Sequence, residues 1–316
     1  MISLIGDASS WYMKLYQDTI SNGFSTPCRQ GVGLELNAPL HIEIPAADNV
    51  NSAIFSVSTQ RRNPLGQRMS FSLAHGIQKF LGLPESYLQK KYGILSKYIK
   101  TDEELAYSRI NKYVREKLPE NISKNDPWVV ANAENEIICS IDQLRKVVNL
   151  LNQSRTTRRA FIDFNEGFKP RCISSWHFII RENNLNMFQN VRSNDLLVGL
   201  PHDLFAARIT QVILARILNA KIGSLHHHSS IVQVYTPDCA NIDGVSEFIK
   251  INKSDNFRSE VYAHLSKSPL FHDFQSALYE SCSGNLTVDA RLQKIRESFV
   301  LVLNKYIDGS IAIEHF

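Results

Sequence analysis

The spacing of apolar residues changes several times along the chain, and each change marks an element. From Ala8 to Asn22, residues Trp11, Tyr12, Leu15, Tyr16 and Ile20 recur at the spacing of one helix face. Asn22-Gly23 supplies the stop. Between residues 34 and 58 the pattern turns to alternation rich in β-branched side chains. Leu34-Glu35-Leu36, Leu40 to Ile44 and Ala53 to Val57 are predicted strands. Helical spacing returns from Met69 to Leu81 and ends at Gly82. Pro84 to Tyr92, Asp102 to Leu118 and Ile141 to Leu151 are predicted helices, broken at Pro119 and Asn125-Asp126-Pro127. Trp176 to Ile180 predicts a buried strand, and Leu204 to Leu218 a core helix. Asp243 to Phe316 mixes both periods. With no internal repeat, low-complexity run or linker, the expectation is one α/β domain over residues 1–316. A helical lid is expected at about 83–150.

Composition narrows the class. A chain of 316 residues with 43% apolar and 21% charged residues is ordinary for a soluble enzyme, and no apolar run reaches a membrane span. The segment Met1 to Asp7 lacks a basic stretch followed by an apolar one, so a cytoplasmic location is expected. Five cysteines without close pairs point to a reducing compartment. Net charge is only +4, and arginines come in small groups: Arg61-Arg62, Arg158-Arg159 and Arg171. That distribution suits a phosphate on a small molecule, not a nucleic-acid backbone.

Candidate chemistry concentrates between Cys172 and Tyr235. Arg171 precedes Cys172, and Arg192-Ser193-Asn194-Asp195 begins twenty residues after it. Gly199-Leu200-Pro201-His202-Asp203 follows, then a long apolar helix and Tyr235. Arginines near a thiol favour the thiolate, the form that attacks carbon. The plain alternative for a single cysteine is a small buried hydrophobe. His226-His227-His228 sits on strand-like sequence, where neighbours point to alternate faces, so three in a row do not converge on one ion. No metal is expected.

The spacing from Cys172 to Arg192-Ser193-Asn194-Asp195 resembles the thymidylate synthase family, and more narrowly its cytidylate hydroxymethylase branch. The resemblance implies a three-layer fold whose large mixed sheet forms a homodimer interface. It implies that Cys172 adds to C6 of a pyrimidine nucleotide and that C5 takes a one-carbon unit from 5,10-methylenetetrahydrofolate. Arg29, Arg158, Arg159, Arg192 and Ser193 match phosphate-binding positions, with Arg158 and Arg159 reaching across the dimer. Asp195 matches the residue that bonds the folate, and Tyr235 the one that bonds the sugar. Gln233 stands where the family has a histidine, and His75 where it has a proton-managing glutamate. A histidine can also relay protons near neutral pH.

Asp203 falls at the base-reading position, where thymidylate synthases carry asparagine. A carboxyl group can accept from the cytosine amino group and share a proton with N3. The expected reaction is therefore hydroxymethylation of CMP or dCMP at C5. The alternatives are a UMP or dUMP C5-methylase of the same family, and a degenerate homologue that binds nucleotides without turnover.

Overall fold

In the computed structural model an eight-stranded mixed sheet organises the chain. The described residues are 1–28, 31–58, 69–83, 111–114, 129–132, 138–165, 171–197, 199–235, 263 and 265–308. The sheet runs β1 (Ile2–Ile5), β4 (Leu40–Ile44), β11 (Lys221–Tyr235), β10 (Asn184–Asp195), β9 (Ile173–Arg181), β8 (Phe161–Asp163). A hairpin of β2 (Phe24–Cys28) and β3 (Gly31–Leu36) joins through β3, which pairs antiparallel with the far end of β11. The two central strands, β10 and β11, are parallel; β9 and β4 flank them antiparallel.

Local sequence explains the central connections. Glu182 and Asn183 join β9 to β10, and both have positive φ. That is the backbone of a two-residue hairpin turn matching strand twist. A parallel pair needs a crossover, here α5 (Gly199–Ile217), almost every residue of which is buried. A helix apolar all round belongs between layers. α5 packs on β10 and β11 on one side and on α3 (Met69–Leu81) on the other. Beyond α3 lie α6 (Pro269–Ser281) and α7 (Val288–Asp308). α1 (Ala8–Asn22) lies against β3 and β11, and α4 (Gln143–Gln153) against β8.

One arginine fastens these layers. Arg208, fully buried on α5, donates to the main-chain oxygens of Pro45, Ala53 and Gly223, and to Ser56 Oγ and Gln211 Oε1. Burial pulls its pKa down to about 9. At Gly223 a Cβ would meet the main-chain oxygen of Leu185 at 2.8 Å, so β11 approaches the β10 backbone there as only glycine allows.

Two expectations need correction. Ala53 to Val57 is not a strand: Val50–Ser56 is a helix, α2. Asn49 Oδ1 accepts from the Ser52 main-chain N–H at 2.9 Å, and Ser52 Oγ accepts from that of Asn49. This reciprocal cap overrides the β-branched pattern. Within the stretch expected to be a helical lid, the described residues include a three-stranded antiparallel sheet of β5 (Asn111–Val114), β7 (Ile138–Asp142) and β6 (Val129–Asn132). Tyr113, Val114, Val129 and Val130 carry the strand preference that the surrounding helical spacing obscured. Among the described residues no helix is long and apolar enough to cross a membrane.

Candidate active site

Cys172 sits at the mouth of β9 and is exposed. Pairing between β9 and β10 shifts register at Asn190/Val191, so Ser174 is left out of the ladder. Such bulges re-aim neighbouring side chains. Past the bulge, Arg192 N donates to Cys172 O at 2.7 Å, and Arg192 Nη2 lies 3.8 Å from Cys172 Sγ. The guanidinium thus lies against an accessible sulfur. Cys282 is the contrast: it is buried, and burial pushes its thiol upward.

The ends of β10 and β11 bring three further candidates together. Asp195 pairs in register with Gln233. Asp195 Oδ1 and Oδ2 accept from the main-chain N–H groups of Leu197 and Gly199 at 3.3 Å each, which starts α5. Tyr12 donates its hydroxyl to Leu196 O at 2.6 Å and pins the same turn. Burial first, and the Asp195 charge second, push the Tyr12 phenol well above its ordinary range, so it stays a donor. Gln233 Nε2 donates to the Tyr235 hydroxyl at 2.7 Å. The residue in place of the expected histidine thus touches the sugar-binding candidate directly. Ser193 is half-buried and pairs in register with Ile231.

Asp203 occupies the first turns of α5, and two donors hold its carboxylate. Lys79 Nζ lies 3.2 Å from Oδ1, in an ion pair shielded from solvent, and Asn194 Nδ2 donates to Oδ2 at 3.1 Å. Gln189 Nε2 donates to the main-chain oxygen of Asp203 at 3.3 Å. Behind them His227, fully buried, faces Gln189 Oε1 at 2.8 Å and Asn194 Oδ1 at 2.6 Å. The amide nitrogens of Gln189 and Asn194 are turned toward Asp203. Burial, then the nearby His228 and His41, hold the His227 pKa down at about 3.

His75 lies on α3, 5.4 Å from the His202 ring and 6.1 Å from Phe71. His202 Nδ1 lies 3.0 Å from Ser72 Oγ. Burial chiefly, and Lys79 next, bring the His202 pKa down to about 4 against the opposing pull of Asp203. Gly76 makes this meeting possible: a Cβ there would stand 2.5 Å from Ile209 Cδ1, so α3 and α5 touch at that point. Sequence reasoning missed Lys79, although it stands four residues after His75 and so on the same helix face.

Arg158 and Arg159 do not join Cys172 within one chain. Both are exposed ahead of β8, and Arg158 O lies 3.0 Å from His177 Nε2. His177 is five residues along β9 from Cys172, a span of about 17 Å at strand rise. Arg29 lies outside the described residues.

A mixed sheet covered by a buried crossover helix, with an exposed cysteine–arginine pair at the end of two inner strands and a carboxylate on that helix, defines the class as α/β. Residues 87–273, more than half of the chain, match the family model for thymidylate synthase. The chain belongs to the thymidylate synthase family. A stretch of 101 residues is 24% identical to the thymidylate synthase of Mycoplasma pneumoniae, covering 30% of this chain and 35% of that protein. The match thus spans about a third of that relative's length.

Proposed function

We propose that the protein hydroxymethylates CMP or dCMP at C5, using methylenetetrahydrofolate and water. The observation that carries the chemistry is the 3.8 Å contact between Arg192 and the Cys172 sulfur. In this reading the Cys172 thiolate adds to C6 of the pyrimidine, and the electron pair moves to C5. That carbon takes up the one-carbon unit, which methylenetetrahydrofolate supplies, and gives up its proton. After tetrahydrofolate has left, water adds to the resulting exocyclic methylene and loses a proton. The C5–C6 double bond re-forms and Cys172 departs as thiolate.

Asp195, half-buried at the start of α5, is the residue offered to the pterin ring. Tyr235 and Gln233 take the sugar, and Arg192 and Ser193 take the phosphate together with Arg29. His75 serves as the proton relay. Preference for cytosine rests on Asp203. With Lys79 at Oδ1, an ammonium donor stands beside a carboxylate acceptor. Cytosine offers an acceptor at N3 and a donor at its amino group, and the pair can satisfy both. Lys79 thereby replaces the proton that Asp203 alone would have to share with N3.

Arg158 and Arg159 are proposed to bind the phosphate in a second copy, which the separation from Cys172 supports. An inactive Cys172→Ala chain mixed with an inactive Arg159→Ala chain should then regain partial activity. No recovery despite proven subunit exchange would remove the shared site. The reaction itself is tested by incubating the protein with folate and each of CMP, dCMP and dUMP, and weighing the product. Gain of CH2O on a cytidylate is expected. Gain of CH2 on a uridylate would establish the methylase instead.

A further inference from the structure

The run His226-His227-His228 divides between the two faces of the sheet. His226 and His228 stand opposite Glu43 and His41 of β4. His227 points the other way and is fully buried. The reaction proposed above makes no use of it. On β10, Gln189 stands beside it in register. Asn194, the third position of Arg192-Ser193-Asn194-Asp195, follows on the same strand. Both amides are buried as completely as the ring, so their polar atoms need partners inside the protein.

We propose that His227 is a positioning residue for base recognition: its Nε2–H holds the Asn194 oxygen and so keeps Asn194 Nδ2 aimed at Asp203. This rests on the reading of Asp203 as the base-reading carboxylate. An amide has nearly the same shape either way round, and its hydrogen bonds decide which end faces which neighbour. Asn194 Nδ2 donates to Asp203 Oδ2 at 3.1 Å, and Asn194 Oδ1 lies 2.6 Å from His227 Nε2. Turned over, Asn194 would set its oxygen against the carboxylate. Asp203 would then have to take up a proton, and Oδ2 would become a donor. It would no longer be the plain acceptor that stands beside the Lys79 ammonium and receives the cytosine amino group.

The tautomer of His227 follows from the same contacts. Its Nδ1 faces Gln189 Oε1 at 2.8 Å, so both ring nitrogens meet amide oxygens. Burial keeps the ring neutral, with its pKa at about 3. A neutral imidazole has one N–H and serves only one of the two oxygens. The two amides are not equivalent. Gln189 Nε2 donates at 3.3 Å to the main-chain oxygen of Asp203, which lies within α5 and also accepts in the helix ladder. Turning Gln189 therefore costs less than turning Asn194, which would strip the carboxylate of a donor. The single N–H belongs on Nε2, and Gln189 is the amide that turns to meet Nδ1.

Nitrogen NMR of the full-length chain with ring-labelled histidine reads that proton directly, the His227 signals being those lost in His227→Gln. A neutral Nε2–H ring is expected at neutral pH. A neutral Nδ1–H ring or an imidazolium would overturn the proposal. The spectrum does not depend on which nucleotide is turned over, so it separates failure of this proposal from failure of the cytidylate reading. In turnover, His227→Phe should lower the ratio of kcat/KM for cytidylate over uridylate by about tenfold. His227→Gln, whose amide can donate in place of Nε2, should restore most of it. In an Asn194→Ala background, His227→Phe should lower the ratio no further, because His227 acts through Asn194. A packing role would slow both nucleotides alike and leave the ratio unchanged. That result, or a further tenfold loss in the double variant, sinks the proposal. Circular dichroism checks folding, and should His227→Phe fail to fold, the spectrum of the parent decides.

Discussion

α5 carries two polar clusters little more than a turn apart, and they behave oppositely. At its middle, Arg208 and Gln211 are fully buried, and their hydrogen bonds run to main-chain oxygens of α2, β10 and β11 and to each other. Nothing in that cluster faces outward. At its first turns, Asp203 is held by Lys79 and Asn194, and His202 by Ser72. That second cluster lies beside β10, which carries Arg192 to the Cys172 sulfur. The first cluster fixes the position of the helix; the second uses that position. Removing a member should therefore cost folding in one case and chemistry in the other.

The largest effect is expected at Arg208. Arg208→Leu takes a donor from the main-chain oxygens of Pro45, Ala53 and Gly223, of which Ala53 O keeps Ser56 Oγ and Gly223 O keeps Gln211 Nε2. A buried hydrogen bond contributes about 0.5–1.5 kcal/mol, so losing the five that Arg208 makes should cost ~3 kcal/mol or more. Denaturant unfolding measures it, and a loss under ~1 kcal/mol would erase the distinction between the clusters.

Asp203→Asn should fold normally, because amide and carboxyl share a shape. It should shift the ratio of kcat/KM for cytidylate over uridylate by about a hundredfold. An unchanged ratio would mean that Asp203 does not read the base. Lys79→Met removes the ammonium at Oδ1, and kcat/KM for the cytidylate should fall by about tenfold. Its melting temperature should drop less than that of Arg208→Leu. Equal losses in both would place Lys79 with the structural cluster.

The smallest effect concerns acid stability away from both clusters. Asp142 takes two hydrogen bonds from Arg296, at 2.5 and 2.8 Å, and caps α4 at Arg145 N. Burial raises its carboxyl, but the bonds and charge of Arg296, with the cap, outweigh burial and leave the pKa lowered. A carboxylate with a lowered folded pKa stabilises fully above its unfolded pKa, and that contribution is lost as pH falls through the folded one. Stability of the parent should therefore decline more steeply than that of Asp142→Asn below the ordinary carboxylate range. Parallel pH profiles would contradict this.

The sequence made legible whatever depends on near neighbours. The helix over 8–22, the strand from Trp176 and the core helix after Pro201 follow from periodicity, and the pairing of Cys172 with Arg192 from the resemblance to the family's motif. Partners brought together by packing stayed hidden. Lys79 meets Asp203 where α3 packs on α5, with Gly76 against Ile209. Arg208 reads as a break in an apolar helix until its five acceptors, which come from three separate stretches, are in place. α2 was misread because a two-residue cap outweighed its β-branched residues.

The central claim is that Cys172 activates C5 of a cytidylate. Tritium release from C5-labelled CMP, dCMP and dUMP tests it most directly, because exchange at C5 requires prior addition at C6. The parent should release tritium from CMP or dCMP in the presence of folate, and Cys172→Ala should release none. Release from dUMP alone, or undiminished release by Cys172→Ala, would contradict the account.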